Sequence, residues 1–501
     1  MRGEAALSSS GTIWSVLAVT LCATMAGARA GQTIRVSVSS AGDQSNSQAT
    51  KHTTIAGDGM KAAFASTASN LVPGDTNGVT DIFLRDCTAG TTTRVSVATN
   101  GSQANGASDF PAFSMDGRFV AFESAASNLV ADDTNGKTDI FVRDLVAYTT
   151  TCVSTASNGN QADNNSYRPA LSQDGRYVVF ASLAGNLVPD DTNGKYDIFV
   201  HDRQTQQTQR VSIASNGQQA DGYSWRPQIS GDGRFIAFES YAANLIPDDT
   251  NGAMDIFVHD RDTGQTQRVN VGPGGSQSTS GSTACSISAD GRYVAFESAA
   301  PNLVPDDTNG YPDVFVHDRD TGITARVSIR SDGQETHGAS WGSSISADGR
   351  FVAFDGPVSD LIPDDTNGIR DVFVHDRHTA ITTRVSVASS GQQADDHSLW
   401  PHLSADGRFV VFASEAANLV PDDTNGPGEQ GRDAFLHDRA GDVPGDLDAD
   451  NDVDRDDLAL LVQALTGPNV PTDRFAADLD GDGDCDVDDF RRLAAGFTGP
   501  M

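Results

Sequence analysis

Asp133-Thr134-Asn135-Gly136 is one of seven copies of a tetrapeptide. The copies begin at Asp75, Asp133, Asp191, Asp249, Asp307, Asp365 and Asp423, each 58 residues after the last. A longer unit travels with it. In the second copy it reads Ser114-Met115-Asp116-Gly117-Arg118, then Val120-Ala121-Phe122-Glu123-Ser124. The tetrapeptide follows, and then Asp139-Ile140-Phe141-Val142-Arg143-Asp144. A fixed period of this length is the mark of a repeat architecture.

Each unit offers four short strands, in the second copy at 111–114, 119–124, 139–144 and 149–155. They are rich in Val, Ile, Phe and Thr and are bounded by turn residues. Asp116-Gly117 is a hairpin pair between the first two. No helical period occurs in the repeat. Four strands per unit and seven units predict an all-β, seven-bladed β-propeller across residues 32–440. The first repeated segment, Arg35-Val36-Ser37-Val38, has no blade before it. The last, around Asp433, has no fourth strand after it. The N-terminal strand is therefore expected to complete the seventh blade, leaving no long open sheet edge. The Ser-x-Asp-Gly-Arg and Asp-Ile-Phe-Val-His-Asp-Arg motifs resemble the WD40-like (PD40) propeller repeat of TolB-type proteins. That resemblance implies a fold and leaves function open.

After Arg439 the period stops, and residues 441–445 read as a linker. Two twelve-residue stretches follow, 446–457 and 478–489. The first places Asp446, Asp448, Asp450, Asp452, Asp454 and Asp457 at positions 1, 3, 5, 7, 9 and 12. The second places Asp478, Asp480, Asp482, Asp484, Asp486 and Asp489 at the same positions. A calcium loop draws its oxygens from these positions, using the backbone at 7, and turns sharply at 6. Position 6 is Asn451 or Gly483. An apolar helical pattern follows each loop: Leu458, Leu461 and Leu465, then Phe490, Leu493 and Phe497. Residues 446–499 thus read as a small α-helical domain holding two calcium ions. Two loop–helix units resemble a type I dockerin. In that family calcium folds the module, which docks onto a cohesin domain. Residues at loop positions 10 and 11 help choose the partner; here they are Arg455-Asp456 and Val487-Asp488.

The chain has 501 residues and a formal net charge of −34, which argues against a nucleic-acid partner. Residues 1–30 read as a secretory signal peptide: Arg2, an apolar run from Ile13 to about Ala26, and Ala28-Arg29-Ala30 before the expected cleavage. Ser15, Thr20 and Thr24 interrupt the run, which disfavours the alternative of a membrane anchor. Cys87, Cys152, Cys285 and Cys485 do not follow the period, so no disulfide framework or zinc site is indicated.

Loops between strands two and three, and those between blades, are expected on one face. The between-blade segments differ most among repeats and hold Trp225, Trp341 and Trp400, with Tyr167, Arg168 and Arg226 nearby. They form either a ligand-binding face for sugar rings or peptides, or wedges packed between blades. The seven Asp-Asp-Thr-Asn-Gly loops fit half-formed calcium sites or simple Asx turns. Gly338-Ala339-Ser340-Trp341-Gly342 spells a nucleophile-elbow motif, but it precedes a strand, so catalysis is not expected there.

The sequence thus reads as a secreted, monomeric bacterial protein, extracellular or periplasmic. Its propeller would be a non-catalytic binder of glycan, peptide or protein, tethered by the dockerin-like module to a cohesin-like partner. The alternative is an extracellular carbohydrate-active enzyme, which would gather a non-repeating acidic pair at the pore. Blade-to-blade uniformity points to binding.

Fourteen Asp side chains in two twelve-residue loops repel one another without metal, so folding of residues 442–501 should be coupled to calcium. An isolated 442–501 fragment is expected to be mostly unfolded in chelator. Calcium should turn it helical, with two ions bound by calorimetry, and Asp457→Ala or Asp489→Ala should each remove one. Equal helicity in chelator and calcium would contradict the loop assignment.

Overall fold

The computed structural model describes residues 31–47, 49–424 and 431–440. The expected signal peptide (1–30), the expected linker (441–445) and all twelve expected calcium ligands lie outside them. No helix among the described residues is long and apolar enough to cross a membrane.

Seven four-stranded antiparallel sheets are present. The first blade comprises β2 (Ala49–Ile55), β3 (Lys61–Ser66), β4 (Asp81–Asp86) and β5 (Thr91–Arg94). The second comprises β6 (Ser108–Phe113), β7 (Phe119–Ser124), β8 (Asp139–Asp144) and β9 (Thr149–Cys152). Five more follow at the same period. Their first strands are β10 (Ser166–Leu171), β14 (Ser224–Ile229), β18 (Ser282–Ile287), β22 (Trp341–Ile345) and β26 (Ser398–Leu403). These first strands touch in a closed circle, β2 to β6 and onward until β26 meets β2. They line a central channel.

The middle strands match the sequence expectation to the residue; the outer two do not. The first strand begins three residues earlier than expected, because Pro111 sits beside a break in register between Asp109 and Ala112 rather than at a strand end. The fourth strand stops at Cys152. The segment after it leaves the sheet and pairs through Thr155 and Gln161 instead.

The core lies between blades. Phe122 and Phe141 face each other across β7 and β8, with ring centroids 6.0 Å apart, and equivalent pairs recur in every blade. Both rings are fully buried, and truncating either to Ala should cost about 3–5 kcal/mol. The glycine of Asp-Gly is needed twice over. Gly175 has φ +66°, and a Cβ there would lie 2.3 Å from the Phe119 ring of the preceding blade.

Two circles of hydrogen bonds tie blade to blade. On the channel side, backbone N–H groups donate across each boundary: Gly57 to Met115, Asp116 to Gln173, Gln173 to Gly231, Gly231 to Ala289, Ala289 to Ala347, Ala347 to Ala405, and Ala405 back to Gly57. On the outer side a threonine of each fourth strand donates to a carbonyl of the blade before. Thr92 bonds Val38, Thr150 bonds Val97 and Thr266 bonds Ile213, each at 2.5 Å.

Closure follows the expected scheme with a shifted boundary. The N-terminal strand is β1 (Thr33–Arg35), paired antiparallel with β28 (Asp433–Asp438). Each side chain of this segment takes the role of its fourth-strand counterpart. Thr33 donates to the Val387 carbonyl and lies 2.8 Å from His437 Nδ1. Arg35 pairs with Asp423 and Asp433, Val36 enters the core, and Ser37 donates to Asp433 at 2.6 Å.

The recurring histidines are structural. His201, His259 and His375 each place Nδ1 2.9 Å from a threonine hydroxyl of the outer circle, and His317 does so at 3.0 Å. Arg85 and Arg143 reach the same threonines in the first two blades.

Deleting residues 32–40 should leave Asp423 and Asp433 buried without their arginine and expose the edge of β28. Scanning calorimetry is expected to show a melting temperature lower by roughly 10 °C or more, or aggregation. An unchanged melting temperature would contradict this closure.

Candidate functional site

The channel is a funnel. Its narrow end is ringed by the last apolar residue of each first strand, Ile55, Phe113, Leu171, Ile229, Ile287, Ile345 and Leu403, beside the inner hydrogen-bond circle. The wide end is a cavity of about 620 Å³. It opens on the face that carries both loop sets. On that face Asn135 Nδ2 donates to the Ala162 carbonyl, joining the loop between strands two and three to the loop between blades.

The break in register of each first strand shapes the wide end. At one register of the first strands, repeated every 58 residues, stand His52, Phe110, Arg168, Arg226, Ala284, Gly342 and Trp400, all in the funnel wall. Phe110, Arg168, Arg226, Ala284 and Trp400 have φ between 46° and 56°, the left-handed region that side chains resist. Carboxylates, buried at Glu123, Glu239 and Asp355 and half-buried at Glu297, hold several of these turns. Backbone N–H groups donate from Arg168 to Glu123 (2.8 Å), Ala284 to Glu239 (2.7 Å), Gly342 to Glu297 (2.9 Å) and Trp400 to Asp355 (3.0 Å). The sequence reading did not single out these acids. Each is the residue after the buried Phe in a Val-Ala-Phe-Glu-Ser-type strand, whereas three blades carry Ala65, Ala181 or Ala413 there. Burial pushes Glu123 and Glu239 up to about 7 and Asp355 up to about 6.

Of the six residues expected on the binding face, Arg168, Arg226, Trp341 and Trp400 line the funnel. Tyr167 and Trp225 do not. Trp225 packs edge-on against Tyr196 at 4.7 Å and lies 5.8 Å from Tyr167, half-buried against the core between blades three and four. Trp225 and Trp341 share a register, but they differ in environment. Arg226 fills the funnel beside Trp225, while Gly342 leaves it open beside Trp341. Arg370 stacks over Trp341 at 4.6 Å and pairs with Asp355. Arg432 stacks over Trp400 at 5.0 Å and pairs with Glu415. His52 joins the wall through Asp109, at 2.8 Å, and Phe110, at 3.5 Å between centroids. His402 also lines the channel, where desolvation by the surrounding wall and, less, the nearby His52 lower it to about 4.

The Asp-Thr-Asn-Gly loops form Asx turns: Asn135 Oδ1 accepts from Lys137 N–H while its amide donates to Asp139. An arginine stands beside the second loop Asp in six blades: Arg35, Arg94, Arg210, Arg268, Arg326 and Arg384. In the fifth blade and the loop that follows it, Asp307, Asp313 and Glu335 converge, and Arg326 lies within 3.7 Å of all three. The guanidinium supplies the cationic charge there. Ser340 begins no elbow; it precedes β22 and is fully buried.

Residues 444–496 match the family model of the dockerin type I domain. No curated protein matches the chain. Similar solved structures include TolB from Acinetobacter baumannii, at 17% identity and TM-score 0.37, covering 65% of this chain and 63% of that one. An oligogalacturonate lyase from Vibrio parahaemolyticus has 12% identity and TM-score 0.49, covering 81% and 93%. The propeller domain of the Trilobed protease from Pyrococcus furiosus has 13% identity and TM-score 0.47, covering 79% and 94%.

Glu239 titrates at about 7 in the fold against a reference of 4.5. Between those values the folded state retains a proton that the unfolded chain releases, so stability falls as pH rises through this window. Glu239→Gln keeps an acceptor for the Ala284 N–H without the charge. Its melting temperature relative to the parent is expected to rise by about 2–5 °C between pH 5 and pH 8 in fluorimetric scans. Parallel curves would place the Glu239 titration elsewhere.

Proposed function

We propose that this chain is a secreted, two-module binding protein. A propeller spanning 32–440 presents the funnel to a glycan or peptide. A calcium-folded module at 446–499, joined by the 441–445 linker, docks onto a cohesin-type partner. Residues 1–30 direct export. The dockerin match carries the tethering half of this reading, because a type I dockerin implies a cohesin-type partner and calcium. The twelve Asp residues at ligand spacing in 446–457 and 478–489 support two ions.

The chemistry of the funnel supports binding over catalysis. Hydrolysis by paired carboxyls needs groups free to give and take a proton. Glu297, the acid that reaches the cavity lining, accepts from Thr283 Oγ1 at 2.5 Å and from Gly342 N–H at 2.9 Å. Glu123, Glu239 and Asp355 are likewise engaged by backbone N–H groups of the funnel turns. The enzyme reading would need one of them to leave its turn.

Full-length protein is expected to bind at least one member of an immobilised cohesin panel in calcium and to be released by chelator. The double variant Asp457→Ala/Asp489→Ala should not bind. Surface plasmon resonance checks this, and retention in chelator would contradict calcium-dependent docking.

A further inference from the structure

The arginines of the propeller are almost all spoken for. Arg118, Arg176, Arg234, Arg292, Arg350 and Arg408 each grip an aspartate through two nitrogens. Another set neutralises the Asp-Thr-Asn-Gly loops. A third donates to glycine carbonyls, as Arg203 does to Gly175 at 2.7 Å. Arg168 and Arg226 stand outside these patterns.

They sit at the same position of adjacent blades, where the other blades carry no arginine. Among the described residues neither guanidinium donates a hydrogen bond. Arg168 lies over the Phe110 ring, its guanidinium carbon 3.7 Å from the centroid, and Arg226 approaches Glu239 no nearer than 3.6 Å. Both line the cavity. Their backbones are held in the left-handed region, at φ 56° and 46°. Strain of this kind persists where the surroundings impose it, and it clusters at binding sites. Two like charges are thus kept side by side facing the cavity in a protein of net charge −34. Burial and the neighbouring Arg226 push Arg168 down to about 10, so an incoming anion would relieve both.

The rest of the wall is sided. Next to the arginines, Ala284 and Gly342 present no long side chain and leave open space. Beyond it stand the indoles of Trp341 and Trp400, the latter 36% exposed. A guanidinium fork matches a carboxylate, and an indole face matches the apolar face of a sugar ring. A uronate carries both features on one rigid ring. A peptide carboxylate sits on a flexible side chain and brings no such face.

Resting on the reading of the propeller as a ligand binder, we infer that the funnel takes an acidic glycan, with a uronate carboxylate on Arg168 and Arg226 and a sugar face against Trp341 or Trp400.

The test is titration calorimetry on the full chain in calcium. The probes are galacturonate, glucuronate and mannuronate trimers, their methyl esters, a neutral hexose trimer and an Asp/Glu tripeptide. At least one uronate trimer should bind. Its methyl ester, and the variants Arg168→Gln and Arg226→Gln, should each weaken binding about 10- to 100-fold with melting temperature unchanged. Trp400→Ala should weaken the same trimer. A neutral trimer or methyl ester bound as tightly as the uronate would overturn the acidic-glycan inference and leave the binding reading standing. So would binding of the tripeptide alone. Binding that survives Arg168→Gln and Arg226→Gln unchanged would remove the arginine seat. No binding by any probe would overturn the inference and the glycan-or-peptide reading together.

Discussion

The circle must close, and everything else in the propeller depends on how it does. Seven backbone hydrogen bonds pass the chain from Gly57 through Ala405 and back to Gly57 around the narrow end of the channel. A second circle of threonine hydroxyls does the same on the outside, with Thr33 of the N-terminal strand making its seventh link. Neither circle survives the loss of one member without an edge appearing. Repeats joined only to their neighbours would form an open stack. The ring arises because β1 lies in the sheet of β28, so the first and last described strands share one blade.

Closure at the narrow end frees the wide end to vary. The first strands meet tightly where their last apolar residues converge. Toward the other face each breaks register, and in six of the seven one residue turns inward in a left-handed conformation. Such a residue costs about 1 kcal/mol or more. A carboxylate that accepts its N–H offsets a cost of that size. Glu123, Glu239, Glu297 and Asp355 act in this way, each reaching from one blade to the first strand of the next. The strained position is also among the most variable in the repeat, so these acids aim residues that differ between blades.

Charge is distributed with the same logic. An acidic surface keeps the protein soluble and repels polyanions at long range. Arginines within the repeat are matched to aspartates, to loop carboxylates or to carbonyls. Arg168 and Arg226 in the funnel, the first over Phe110 and the second 3.6 Å from Glu239, stand out by their geometry and not by their number. Acidic character also suits the match of residues 444–496 to the dockerin type I domain, a kind of domain that typically binds calcium.

Much of this was legible in the sequence. Period, strand order, blade number and the closing role of the N-terminal strand follow from short-range patterns: apolar alternation, turn pairs and an exact repeat length. The expectation of two calcium loops rests on ligand spacing within twelve residues. What the sequence left open was which side chains of one register reach the same place. Trp225 and Trp341 are equivalent by position, yet Trp225 packs against Tyr196 while Trp341 faces the funnel, because Gly342 vacates the space that Arg226 fills. Glu239 reads as an ordinary strand residue, and only the approach of the next blade makes it the acceptor for Ala284. Local periodicity sets where strands begin and turn. The contents of the funnel depend on seven first strands meeting around one axis, and no window of sequence contains more than one of them.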